Sequence, residues 1–274
     1  MFKNREKLQN YLDIHFSRPS FPTMTRVQTP FQDQKGDHAK NSSKQKQIKT
    51  IENQKNAQQT QTVKYESLKR LLVTKKDLSL IVKENTWLND KHIDFYITWL
   101  QEEQKDNRFF FFLSDFWVSL KNDVERHAIR GHKEVQLLQK QFLLIPINAG
   151  AHWLLCIVCY PGQLNMKYIV MDSLQTGKVP KKHLTQFLTI RSELERKGDR
   201  IYIENAPWVF PKVPLQENGH DCGLYMLHYA ELFYKQVPDE NCLEKWFPKH
   251  DIQKKRQFIF SIMKPYVVDC SLIE

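Results

Sequence analysis

Three almost uninterrupted apolar runs follow one another between residues 142 and 171: Phe142–Ile147, His152–Tyr160 and Lys167–Met171. A strand with one wet face alternates apolar and polar residues, whereas these do not, so both of their faces must be covered. That places them in the middle of a mixed sheet with helices on either side. The segment from Cys222 to Gln236 adds a second constraint. It is apolar almost all round, and its polar breaks, His228, Glu231 and Lys235, form one narrow stripe, which predicts a largely buried helix.

The remaining elements are read around this core. Thr74-Lys-Lys-Asp77 has the form of a capping box and opens a short helix through Leu78, Leu80 and Ile81. A second helix starts at Asn89 or Asp90, with Ile93, Tyr96, Ile97 and Leu100 at three-to-four spacing. Phe109–Leu113 is expected as a buried strand, followed by an aromatic-rich helix containing Phe116 and Trp117. Pro180–Lys197 is expected as a helix with Leu184, Phe187, Leu188 and Leu194 on one side and Gly198 as its stop. A last helix runs from Ile252 to Met263, ended by Pro265. The fold class is therefore α+β, a mixed central sheet flanked by helices, over residues 65–274.

Residues 1–64 are different. Only 16 of them are apolar, and 12 Lys/Arg face 5 Asp/Glu, a net of +7 out of the chain's +10. Such a segment cannot bury enough apolar surface to offset the entropy of ordering, so it is expected as a disordered, basic Lys/Gln/Asn-rich tail. A short amphipathic piece around Leu8, Leu12 and Phe16 lies within it. The basic balance thus belongs to the tail, where aromatic residues for base stacking are sparse, and nucleic acid is not expected as a partner. No apolar run approaches the roughly 18 residues a membrane span needs, and no secretory signal is expected at Met1-Phe2-Lys3-Asn4-Arg5. Five scattered cysteines fit a reducing compartment.

Three positions carry chemistry. His152 opens one strand, Asp172 ends the next, and Cys222 begins the buried helix. A thiol with an ordinary pKa near 8.5 is mostly protonated at neutral pH, and a helix N-terminus favours its anion. An imidazole within reach takes the proton, and a carboxylate on the other ring nitrogen orients it. The developing oxyanion needs donors, which the Cys222 N–H and the side-chain amide of Gln216 could supply. Each residue alone has a plainer reading, since a lone cysteine on an apolar helix usually packs and a strand-ending aspartate usually turns the chain. Asp221, next to the cysteine, reads as an N-cap. Cys156-x-x-Cys159 sits on a strand, where positions three apart face opposite ways, so no metal site is expected there.

The ordered set Trp87-Leu-Asn-Asp90 with Ile93-Asp-Phe-Tyr96, Ala151-His152-Trp153, Met171-Asp172-Ser173, and Gln216 with Asp221-Cys222-Gly223 resembles the SUMO-specific (ubiquitin-like-protein-specific) cysteine proteases, over about residues 66–265. The stretches His152–Pro161 and Lys212–Gln216 look most like the branch that edits poly-SUMO chains, although only 19 residues separate His152 from Asp172, where members of that branch often carry long insertions. The resemblance implies an adenain-like, papain-related fold. It implies His152 as base, Asp172 as orienting carboxylate, Cys222 as nucleophile and Gln216 in the oxyanion hole. It also implies Trp87 and Trp153 as walls of a tunnel for a Gly-Gly tail, and Asp90 as either a contact to the modifier or a helix cap. The implied activity is cleavage after the C-terminal Gly-Gly of SUMO, from target lysines, chains or a precursor. The same chemistry on a Rub-type modifier or ubiquitin, and a non-catalytic binding protein, are the alternatives. No cofactor or metal is expected. The partners are SUMO or a related modifier and its conjugates, with the chain a monomer in the nucleus or cytoplasm.

Overall fold

A computed structural model describes residues 66–267, apart from Lys178, Pro180 and the side chain of Glu240. The expected tail 1–64, its amphipathic piece and Cys270 lie outside the described residues. In chain order the elements are α1 (Lys75–Val82), α2 (Asp90–Gln104), β1 (Phe109–Phe111), α3 (Ser114–Asn122), α4 (Val124–Arg130), β2 (Phe142–Asn148), β3 (Trp153–Cys159), β4 (Lys167–Met171), α5 (Lys181–Glu195), α6 (Arg200–Asn205), β5 (Trp208–Val209), α7 (Cys222–Lys235) and α8 (His250–Met263).

The five strands form one sheet in the order β1-β2-β3-β4-β5. The inner pairs β2–β3 and β3–β4 are antiparallel and the outer pairs β1–β2 and β4–β5 parallel, so the sheet is mixed. Because successive side chains point to opposite faces, each apolar run feeds two cores at once. Phe142, Leu144, Leu155, Ile157, Cys159, Ile169 and Met171 pack with residues of α1, α2, α7 and α8. Leu143, Ile145, Leu154, Cys156, Val158, Tyr168 and Val170 pack with residues of α3 to α6. Cys156 and Cys159 consequently sit on opposite sides of the sheet, and no cluster of three or more His, Cys, Asp or Glu able to hold a metal ion occurs among the described residues.

The capping box of α1 forms between Thr74 and Asp77, and α2 starts behind Asn89 with a second box closed by His92. Strand β4 has the expected bounds, while β1 is shorter than expected: Leu113 instead serves as the N-cap of α3. The short elements α4, α6 and β5 have too few residues for a periodic pattern to show in the sequence. Helix α5 buries Leu184, Phe187 and Leu188, but Leu194 is 52% exposed, and the helix ends at Glu195 with Arg196 in the left-handed region (φ 50°). Gly198 has a different task from stopping the helix. Its Cα meets the β3–β4 turn at Gly162, where an added Cβ would lie 2.6 Å from it, and both glycines have positive φ.

Helix α7 is buried except at Leu232 and Lys235, so His228 and Glu231 of its polar stripe are buried while Lys235 reaches solvent. The Glu231 carboxylate forms an ion pair with Lys255 of α8 and accepts a hydrogen bond from the Tyr96 hydroxyl of α2 at 2.9 Å. Burial works against the charge on Glu231, yet His228 at 3.7 Å and the hydrogen-bonded Lys255 and Lys235 hold its pKa well below the usual carboxylate range. The central helix is thereby fixed in rotation, with Cys222 at its sheet-edge end.

Candidate active site

The turn between β2 and β3 brings His152 into place. The Ala149 N–H donates to the His152 carbonyl at 2.8 Å, and Gly150 and Ala151 between them both have positive φ, the pattern of a tight two-residue hairpin loop. Register does the rest. Leu155 pairs with Met171 across β3 and β4, so His152 and Asp172 leave the same edge of the sheet.

There the His152 Nε2 lies 2.6 Å from Asp172 Oδ1, and both residues are buried. Asp172 is further tied by the Leu174 N–H at 2.9 Å and by the N–H and hydroxyl of Thr176, each at 2.7 Å. Burial alone would push this carboxyl up, but bonds from His152, Thr176 and Leu174 hold it well below its ordinary value. Burial likewise works against a charged His152, and the hydrogen bond to Asp172, with the Cys222 thiol nearby, overcomes it, raising the imidazole pKa to about 9. With Nε2 engaged by Asp172, Nδ1 is the nitrogen left for the thiol, and it makes no hydrogen bond of its own. An imidazolium so placed can pair with a cysteine thiolate.

Cys222 is the first residue of α7 and is buried. The loop before it is built around Asn218, whose Oδ1 accepts from the N–H groups of His220 (3.1 Å) and Asp221 (3.0 Å). Gln216 is buried beside it and held at three points. Its N–H donates to the Ser173 carbonyl at 3.2 Å, its Oε1 accepts from the Ser173 hydroxyl at 2.6 Å, and its Nε2 donates to the Asn218 carbonyl at 2.5 Å. A carbonyl can only accept, so Asn218 fixes which end of the amide is the donor, and Ser173 satisfies the other. One Nε2 hydrogen is left for an oxyanion.

Asp221 corrects the N-cap expectation. It occupies the position before α7, but its backbone (φ −93°, ψ 6°) lacks the extended form of a capping residue and its side chain accepts nothing from the first turn. Instead it bonds Asn218, His220 and Arg256. The free N–H groups at the start of α7 remain open to an anion.

The two tryptophans differ. Trp153 is 3% exposed and donates from Nε1 to the Leu88 carbonyl at 3.0 Å, while Trp87 is 54% exposed and donates to the Gly219 carbonyl at 2.7 Å. A Cβ added to Gly223 would stand 3.0 Å from Leu88 Cβ and 3.3 Å from Trp153 Cδ1, so the residue after Cys222 must be small for this wall to close on it. Asp90 is exposed in the first turn of α2, and the cap there belongs to Asn89.

Sequence reasoning did not find Thr176, Ser173 or Arg256 as parts of this site. The turn that carries Thr176 had a local signal, since an aspartate accepting from the N–H two residues on, here Leu174, is a common turn and Thr176 follows two residues later. Arg256 had none, being 35 residues from its partner Asp221.

A family model described as the Ulp1 protease family, C-terminal catalytic domain, matches residues 86–266. The chain belongs to the Ulp1 protease family. Among curated relatives, a probable ubiquitin-like-specific protease 2A of Arabidopsis thaliana is 29% identical over 234 residues, covering 70% of this chain and 30% of the relative. A sentrin-specific protease 7 of Mus musculus is 27% identical over 274 residues, covering 68% and 26%. The chain thus spans about a quarter to a third of the length of these relatives. A solved de-sumoylating protease aligns with TM-score 0.58 at 20% identity, over 70% of this chain and 85% of that one. The Ulp1 protease domain in complex with Smt3, the yeast ortholog of SUMO, aligns with TM-score 0.54 at 21% identity, over 73% and 93%. These likenesses establish the Ulp1 protease fold.

Proposed function

We propose that this family member is a thiol isopeptidase that cleaves after the C-terminal Gly-Gly of SUMO, freeing it from target lysines or chains and maturing its precursor, in the nucleus or cytoplasm. The observation that carries this reading is the 2.6 Å His152–Asp172 pair set against Cys222 at an uncapped helix start. The modifier is taken from the relatives, which include sentrin-specific proteases.

In this reading the Cys222 thiolate attacks the glycine carbonyl carbon. The oxyanion is received by the Cys222 N–H and Gln216 Nε2. Its collapse breaks the C–N bond, the lysine amine leaves with the proton from His152, and a thioester remains. His152 then takes a proton from water, whose oxygen displaces Cys222 and releases the modifier's carboxylate. Trp87 and Trp153 bound the approach to Cys222, where an extended Gly-Gly backbone fits because it projects no side chain. Asp90, exposed on α2, meets basic residues of the modifier. Replacing Gln216 with alanine is expected to lower kcat by roughly 10²–10³-fold, read by steady-state hydrolysis of a fluorogenic modifier amide; an unchanged kcat would remove it from this role.

A labelling panel tests the reading. SUMO, a Rub-type modifier and ubiquitin, each carrying a thiol-reactive group at the C-terminal glycine, are incubated with the protein and with C222A. Labelling by SUMO alone, lost in C222A, is the expected result. Labelling by another modifier keeps the chemistry and moves the substrate. No labelling of folded protein by any of the three overturns the reading and favours a binding-only protein.

A further inference from the structure

This inference rests on the thiol-protease reading and concerns a residue outside it. An aspartate placed directly before a helix ordinarily caps it, as Asp123 does by accepting from the Arg126 N–H and Asp199 by accepting from the Ile201 N–H. Asp221 stands in the same position before α7 and does not. Its Oδ1 accepts from Arg256 Nη2 at 3.0 Å and lies 3.1 Å from His220 Nδ1, and its Oδ2 accepts from Asn218 Nδ2 at 2.8 Å.

Arg256 comes from α8 and is itself held from behind. Its Nη2 also donates to the Thr86 carbonyl at 2.8 Å and its Nη1 to the Ile81 carbonyl at 3.2 Å, on the segment that leads to Trp87. Among the three partners of Asp221 it is the one whose charge is permanent. A carboxylate freed from it would find unsatisfied N–H groups and the positive end of the α7 dipole within one side-chain length. Capping there would be favourable for the helix and harmful to the chemistry, because a resident anion would take up donors that the thiolate and oxyanion use and would repel both.

We propose that Arg256 is a positioning residue that holds the Asp221 carboxylate off the first turn of α7, keeping that helix end open for the negative charge developed at Cys222. It acts through Asp221 and touches no reacting atom.

The test is a rescue. R256Q, D221A and the double variant are compared with the parent by kcat and KM on a fluorogenic SUMO C-terminal amide, with thermal melting as the check on folding. In parallel, the rate of Cys222 alkylation by iodoacetamide is followed against pH by peptide mass spectrometry, which needs no modifier and separates Cys222 from the exposed Cys242. R256Q is expected to lower kcat about tenfold with KM nearly unchanged and to move Cys222 alkylation to higher pH by about one unit, since an uncompensated carboxylate disfavours the thiolate. D221A is expected to lower kcat far less, and D221A/R256Q to recover most of what R256Q loses in both measurements. A loss that persists undiminished in the double variant, or a D221A defect as large as that of R256Q, overturns the proposal. Should no modifier be processed by the parent, the protease reading fails separately, and the alkylation profiles still decide whether Arg256 acts through Asp221.

Discussion

C222A is expected to lose turnover by about 10⁴-fold or more, the scale on which removing an attacking nucleophile acts, while still binding the modifier as tightly as the parent. Fluorogenic hydrolysis reads the first and titration calorimetry with the modifier the second. The substitution deletes one atom from a well-packed helix start, so the fold around it should hold. None of the other described cysteines can stand in. Cys156 lies in the core on the opposite face of the sheet, where burial pushes its thiol up. Cys159 is at the far end of β3 from His152, and Cys242 lines a pocket of about 510 Å³ between Leu232, Pro238 and Trp246. Persistent full activity in C222A would therefore remove the nucleophile assignment altogether.

D172N is expected to lower kcat/KM by about 10³–10⁴-fold. The physical reason is the number of donors already aimed at the carboxylate: the His152 ring, the Leu174 N–H and both Thr176 groups. An asparagine has one acceptor oxygen, so its NH₂ must face either the imidazole, imposing the wrong tautomer, or the Thr176 donors, breaking the turn. The pH profile should change with it. His152 carries its proton below about 9 and loses it above, so the parent's activity is expected to fall as pH rises through about 9. In D172N that alkaline limb moves to lower pH, because a neutral amide no longer favours the imidazolium. Stability follows the same signs. The folded-state pKa of His152 lies above its ordinary 6.5, so its contribution is full below 6.5 and is lost as pH climbs through about 9. That of Asp172 lies below its ordinary 3.8, so its contribution is present above 3.8 and is lost as pH falls further. Melting temperature against pH, parent beside D172N, measures both limbs. An unshifted alkaline limb in D172N would detach Asp172 from the imidazole.

The sequence by itself determined the covered sheet, the buried helix and the order of His152, Asp172, Gln216 and Cys222, because each rests on local facts. Continuous apolar runs leave no wet face, and an all-round apolar helix has nowhere to go but inside. Capping boxes are written within four residues, as at Thr74–Asp77 and Asn89–His92. Tertiary structure decided the rest, because those contacts join residues with no periodic or motif relation. The short α4, α6 and β5 exist by packing against longer elements, and Gly198 is spent on a close approach to Gly162 instead of ending α5. The difference is plainest at Asp221. Local rules make it a helix cap, whereas its carboxylate instead pairs with an arginine from α8 that is braced by two backbone carbonyls, a contact across 35 residues that no local pattern records.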